Sequence, residues 1–159
     1  RGYFVDGLGA AQFALPGAVD RLRAARDVPD PMLHPDQVAA PIVLAATDPA
    51  CPFGGTLPWP STDGRPARTG SAVVVVRAGE LLVWFDRRGH HLVLFGPAEH
   101  DGSWADALVE MVKDGRARAA EVRKIDGRPV ADPEVPAFAG HHLRAAGFVD
   151  GYRGLVYRP

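Results

Sequence analysis

The chain has 159 residues, of which 47% are hydrophobic and 23% charged, with a formal net charge of −1. That length suits one domain, the apolar content excludes global disorder, and no apolar run approaches the ~20 residues that span a bilayer. Near-neutral charge argues against a nucleic-acid binder that works by bulk charge, and the lone Cys51 excludes an internal disulfide.

The opening stretch Arg1 to Asp6 reads as a strand rather than a signal peptide, and Arg1 in place of an initiator Met reads as a piece of a longer chain. Tyr3 to Leu15 is expected to form two short strands around Gly7-Leu8-Gly9. Pro16 then suits a first helical turn, and Ala18, Val19, Leu22 and Ala25 make a helical stripe. Four prolines between Asp27 and Pro41 predict an extended loop.

Ile42 to Ala46 predicts a strand, followed by a long irregular stretch from Thr47 to Gly70. Such a loop is uncommon unless functional or packed, and Phe53, Leu57 and Trp59 give it apolar anchors. Three apolar runs, Ala72–Val76, Leu81–Phe85 and His91–Phe95, stand at hairpin spacing and predict a meander buried on both faces.

Ser103 is the expected cap of a helix running to Asp114 and stopped by Gly115, with Trp104, Leu108, Met111 and Val112 facing inward. Ala120–Ile125 turns through Asp126-Gly127 as a hairpin. A final helix, about Val135 to Ala146, ends at Gly147, and Leu155–Tyr157 closes the chain as a strand. The expected fold is one α+β domain, 1–159, with two to three helices on an antiparallel, barrel-like sheet. Residues 1–41 are its strand pair, helix and joining loop.

The search for chemistry is mostly negative. There is no phosphate-binding G-x-x-x-x-G-K-[ST] loop, and Gly7-Leu8-Gly9-Ala10-Ala11 lacks the third glycine and the setting of a dinucleotide site. The six histidines, with one cysteine and no H-x-x-x-H helix, do not suggest a metal centre. Cys51 has no base beside it in sequence. Among carboxylates, Asp150 and Asp6, next to glycines or aromatics at element ends, are the weak candidates for activating water. Residues 116–159 carry eight basic side chains against five acidic, a net +3, leaving −4 for 1–115. Arg21, Arg23, Arg26, Arg87, Arg88, Arg153 and Arg158 are the candidate phosphate contacts. Phe13, Trp59, Trp104, Tyr152 and Tyr157 are aromatics able to stack on bases or to serve a core.

Three blocks resemble the C-terminal region of the bacterial large helicase-related (Lhr) proteins: Arg1 through Arg23; Val43 to Ala50 followed by Leu57-Pro58-Trp59-Pro60; and Leu143 to Phe148 with Gly154-Leu155. The resemblance implies a terminal β-barrel module, preceded by the end of a winged-helix module, of an ATP-dependent 3′–5′ DNA helicase linked to repair. The ATP and Mg2+ of that motor would lie outside this chain, which needs no cofactor of its own. It implies a cytoplasmic protein, the rest of the helicase and DNA as partners, homo-oligomers through the C-terminal half, and no membrane. The same region is similar to AlkZ-type winged-helix DNA glycosylases, but their Gln-x-Gln or Gln-x-Asp pair has no counterpart, since Gln12 and Gln37 are the only glutamines. Cys51 stands where that family usually has Asn, and Phe53 where Tyr is common. The expected function is non-catalytic: oligomerisation and nucleic-acid guidance, with Phe53, Leu57 and Trp59 as interface candidates. The alternative is a glycosylase-type activity using Asp150 or Asp6.

Overall fold

In a computed structural model the described residues are 12–26 and 39–159. The chain divides into two compact units, Arg1–Ala39 and Ala40–Pro159. In the first unit, Pro16 and Gly17 lead into helix α1 (Ala18–Arg26). The expected strand pair and proline-rich loop lie mostly outside the described residues.

The second unit is built on a six-stranded sheet. Strands β1 (Ile42–Ala45), β2 (Ala72–Arg77), β3 (Glu80–Asp86) and β4 (His91–Leu94) form an antiparallel meander. The two-residue turn between β2 and β3 is Ala78-Gly79, both at positive φ, which matches the twist of the strands it joins. One bulge interrupts that ladder: Val75 pairs with Val83 and Val76 with Leu81, leaving Leu82 as the extra residue.

Alternation sends Val73, Val75, Val83, Phe85, Leu92 and Leu94 to one face, and Ala72, Val74, Trp84, Val93 and Phe95 to the other. The first face packs on helix α2 (Ser103–Lys113), which contributes Trp104, Leu108, Met111 and Val112. The second is covered by the long loop, through Cys51 and Phe53 with half-buried Leu57 and Trp59. The loop is therefore packed, as its anchors predicted. It is also bonded down: the Arg68 guanidinium donates to the carbonyls of Cys51, Phe53 and Asp48, the Trp84 indole N–H to Ala67 O, and Thr62 Oγ1 to Leu94 O.

The N-cap of helix α2 is Gly102, not Ser103, which is the first helical residue, and Asp101 just before the cap takes one of the free N–H groups. The Asp101 carboxylate accepts the Ser103 N–H at 3.0 Å and the Arg77 guanidinium at 2.8 Å. Burial alone would raise the Asp101 pKa; bonds from Ser103 and Arg77 outweigh it and hold it below the usual carboxylate range. Gly115, at φ +76, ends the helix as expected.

The stretch 120–130 differs from expectation. Strand β5 (Ala120–Val122) leaves to a second, three-stranded sheet, while β6 (Lys124–Ile125) runs parallel to β4 and turns into β7 (Arg128–Pro129). Arg123 is the corner: its N–H and that of Lys124 both donate to His90 O. Helix α3 (Ala137–Ala145) ends at Gly147, and the Phe148 N–H bonds back to Leu143 O. Strands β8 (Val149–Asp150) and β9 (Leu155–Tyr157) complete the small sheet in the order β5-β9-β8.

The α+β class with three helices stands, but the expected barrel does not close. Strands β1 and β7 end the large sheet without a further strand among the described residues. The physical reason is α2. It lies against β1, β2 and β5 and fills the space that a sheet wrapped on itself would occupy.

Two outcomes follow from these contacts. Replacing Arg68 with Ala frees three loop carbonyls and should destabilise the unit by about 2–4 kcal/mol, read from urea unfolding. Asp126, at φ 50 in the β6–β7 turn, accepts the Leu94 N–H at 3.0 Å; burial raises its pKa despite that bond, and nearby Asp63 adds to the rise. Stability held by its protonated form is complete at low pH and lost as pH rises through the raised folded value. Asp126→Asn keeps the acceptor and tolerates positive φ, so the variant should unfold at a higher Tm than the parent at pH 7. The gap should close below the carboxylate range.

Candidate nucleic-acid interface

The turn between β3 and β4 carries Arg87 and Arg88, and topology sets it beside the link from α2 to β5. Gly70, Ser71, Arg87, Arg88, Ala117, Arg118 and Ala119 line an open groove of about 860 Å³. Arg87 is half-buried and anchored: its side chain donates to Ser71 O at 3.0 Å and Gly70 O at 3.3 Å. Arg88 and Arg118 are exposed. Among the described residues, no carboxylate lies within 4.0 Å of these three guanidiniums. Asp86, the nearest acid in sequence, is engaged by hydrogen bonds: its oxygens take the hydroxyl of groove-lining Ser71 and the Gly89 and Arg88 N–H groups of its own turn. Those bonds overcome burial and keep it ionised.

The second sheet extends this positive seam. Ala120 pairs with Tyr157, so Arg158 follows at the groove end of the ladder, close enough to Glu121 to help lower its pKa. Glu121 itself is held by Arg123 through two bonds of 2.9 and 2.8 Å, with His90 at 3.6 Å, so Arg123 is a neutralised cation. At the other end of the ladder, the β8–β9 turn carries exposed Arg153 beside Tyr152, which is 98% exposed. The Arg153 guanidinium carbon lies 6.0 Å from the Tyr152 ring centre.

Of the seven candidate arginines, Arg87 and Arg88 line the groove, Arg158 follows the β9 residue paired with Ala120, and Arg153 lies at the other end of that ladder. Arg21 and Arg23 are exposed on α1 in the first unit, where Arg23 lies 3.6 Å from Asp20. The Arg26 side chain lies outside the described residues. Arg118 was missed as a candidate because, in sequence, it is one basic residue among several after the helix stop. Only the fold sets it across from Arg88.

The other candidates are placed as follows. Phe53 is buried, and Leu57 and Trp59 are half-buried against the chain's own sheet; the Trp59 ring lies so close over Gly54 that a Cβ there would clash with it. Trp104 is wholly buried, with its indole N–H on Ala98 O. Asp150 is exposed and accepts Arg144 at 2.8 Å, and that bond lowers its pKa. It lines neither the basic groove nor the cleft of about 370 Å³ bounded by Ala40, Pro41 and the outer face of α2. Asp6 lies outside the described residues. Three histidines are structural partners: His90 lies against Glu121 O, His91 accepts the Gly127 N–H at 2.8 Å, and His142 meets Glu99 O. Burial, then repulsion from Lys124, lowers the His91 pKa, consistent with a neutral ring accepting a proton donor. Cys51 is buried with its thiol toward Phe53 O. Among the described residues, no helix is long and apolar enough to cross a membrane.

Comparison with known proteins places this geometry in a family. Residues 1–33 match the family described as "Large helicase-related protein, winged-helix domain", the fourth such domain. A protein of Mycolicibacterium smegmatis named "Lhr helicase/ probable uracil glycosylase" is 44% identical over 164 residues, covering 99% of this chain and 11% of the relative. The Escherichia coli K12 protein named "Lhr helicase/uracil glycosylase" is 32% identical over 161 residues, 98% of this chain and 10% of the relative. The chain therefore spans about a tenth of the length of these relatives. Along nearly its whole length, then, the chain matches a stretch of the large helicase-related proteins, and it resembles a C-terminal region of Lhr.

Proposed function

We propose that this chain is a non-catalytic accessory region of an ATP-dependent 3′–5′ DNA helicase that acts in repair, guiding nucleic acid along the seam between its two sheets. The observation that carries the reading is the groove of Arg87, Arg88 and Arg118, three cations without a carboxylate partner among the described residues. Phosphate is the anion such a groove suits: guanidiniums bind it by paired N–H donors, and Arg87 is already oriented by backbone carbonyls. The near-neutral total charge fits a region that adds contacts to a grip made elsewhere in a longer chain.

ATP and Mg2+ belong, in this reading, to a motor elsewhere in the protein, and the setting is cytoplasmic. Self-association through the C-terminal half is its second part. Because Phe53 is used by the chain's own core, any contribution of the long loop falls to the half-exposed rim at Leu57 and Trp59.

The relatives' names also include uracil glycosylase activity. For this chain that reading would rest on Asp150, an exposed carboxylate already bonded to Arg144, or on Asp6. The basic groove favours guidance over that chemistry. An assay for abasic product on uracil-containing DNA separates the two, since guidance alone yields none.

The direct test is a titration of a DNA oligonucleotide at two salt concentrations. The parent chain should bind with a negative salt slope. The double variant Arg88→Glu, Arg118→Glu should bind more weakly, with the slope reduced by roughly 1.4 to 1.8, at about 0.7 to 0.9 per phosphate. An unchanged slope would remove the groove from the interface.

A further inference from the structure

We propose that Tyr152, at the tip of the β8–β9 turn, is a stacking platform for an unpaired base of single-stranded nucleic acid. This rests on the nucleic-acid-guiding reading and names a contact residue for it. The tip is built firmly around a side chain that touches little. The Gly151 N–H bonds across the turn to Gly154 O at 2.7 Å. Gly154 is seated against Val122 O and the Arg123 backbone so closely that a Cβ there would clash. The turn is therefore pinned to β5, while Tyr152 projects with 98% of its surface exposed.

Exposed apolar side chains are common singly and need no explanation by themselves. Here charge complementarity points to the occupant. Arg153 stands beside the ring at cation–π distance, so the tip offers a π face and a guanidinium together. The acids near the tip are engaged: Asp150 with Arg144, Glu121 with Arg123. The three-residue β5–β9 ladder, about 10 Å long, separates this tip from the arginine groove. Phosphates in the groove and a base on Tyr152 are thus within reach of one short strand. A duplex keeps its bases stacked on each other and offers no free face, whereas an unpaired base does.

The test compares a single-stranded oligonucleotide with its duplex, by fluorescence anisotropy at two salt concentrations. Tyr152→Ala should weaken single-strand binding about five-fold or more. Its salt slope and duplex binding should stay unchanged, and Tyr152→Phe should bind like the parent. Parent-like single-strand binding by Tyr152→Ala, an equal loss on duplex, or failure of Phe to rescue would each overturn the proposal. If the arginine double variant lowers the slope while Tyr152→Ala has no effect, only the stacking role falls. If the parent binds neither form, the guiding role falls with it.

Discussion

The structure depends on burying strands β2, β3 and β4 on both faces at once. Each strand is a nearly continuous apolar run, so each needs two covers. Helix α2 covers one face with Trp104, Leu108, Met111 and Val112. The other falls to a loop without strands of its own, which must satisfy its backbone polar groups by other means. Arg68, Trp84 and Thr62 provide those bonds, which is why a stretch with many prolines can act as a structural layer.

The same constraint shapes the site. Helix α2 packs on one face of the sheet, the sheet stays open among the described residues, and the chain passes into a second sheet at Arg123. That passage leaves a seam between the β3–β4 turn and the start of β5. Arginines from segments thirty residues apart in sequence, Arg88 and Arg118, meet there. An open sheet with a helical filler thus produces a basic groove that a closed barrel would not have, and the groove is the feature that suits phosphate.

Electrostatics sharpens the choice among charged residues. Six of the fourteen lysines and arginines in the second unit have a carboxylate within 4.0 Å, as Arg77 has Asp101 and Arg144 has Asp150. Such pairs, when exposed, contribute little to stability and leave little charge for a partner. Arg88 and Arg118 are among those without such a neighbour among the described residues, and they differ in lining one groove together with Arg87. The Asp150–Arg144 pair also bears on chemistry: a solvent-exposed carboxylate stabilised as its anion lacks the enclosed setting in which an acid is tuned for proton transfer.

Periodicity and turn chemistry, which are local, made much of the fold legible in the sequence. The meander, the helix from Ser103, the glycine stops at Gly115 and Gly147, the fold-back of Phe148 and the Asp126-Gly127 turn each need only a few adjacent residues to specify them. Arg87, Arg88, Arg153 and Arg158 were visible as basic residues for the same reason. What local pattern could not carry was pairing between distant segments. Val122 and Lys124 belong to different sheets, β6 runs parallel to β4, and Arg77 reaches Asp101 at the start of α2, each through a contact made only when the chain is folded. The sequence by itself determined which segments are strands, helices and turns, and which side chains carry charge. Tertiary structure alone decided that the sheet stays open, that Arg118 joins Arg88, and that Tyr152 stands clear, because those outcomes turn on which distant surfaces fill the same space.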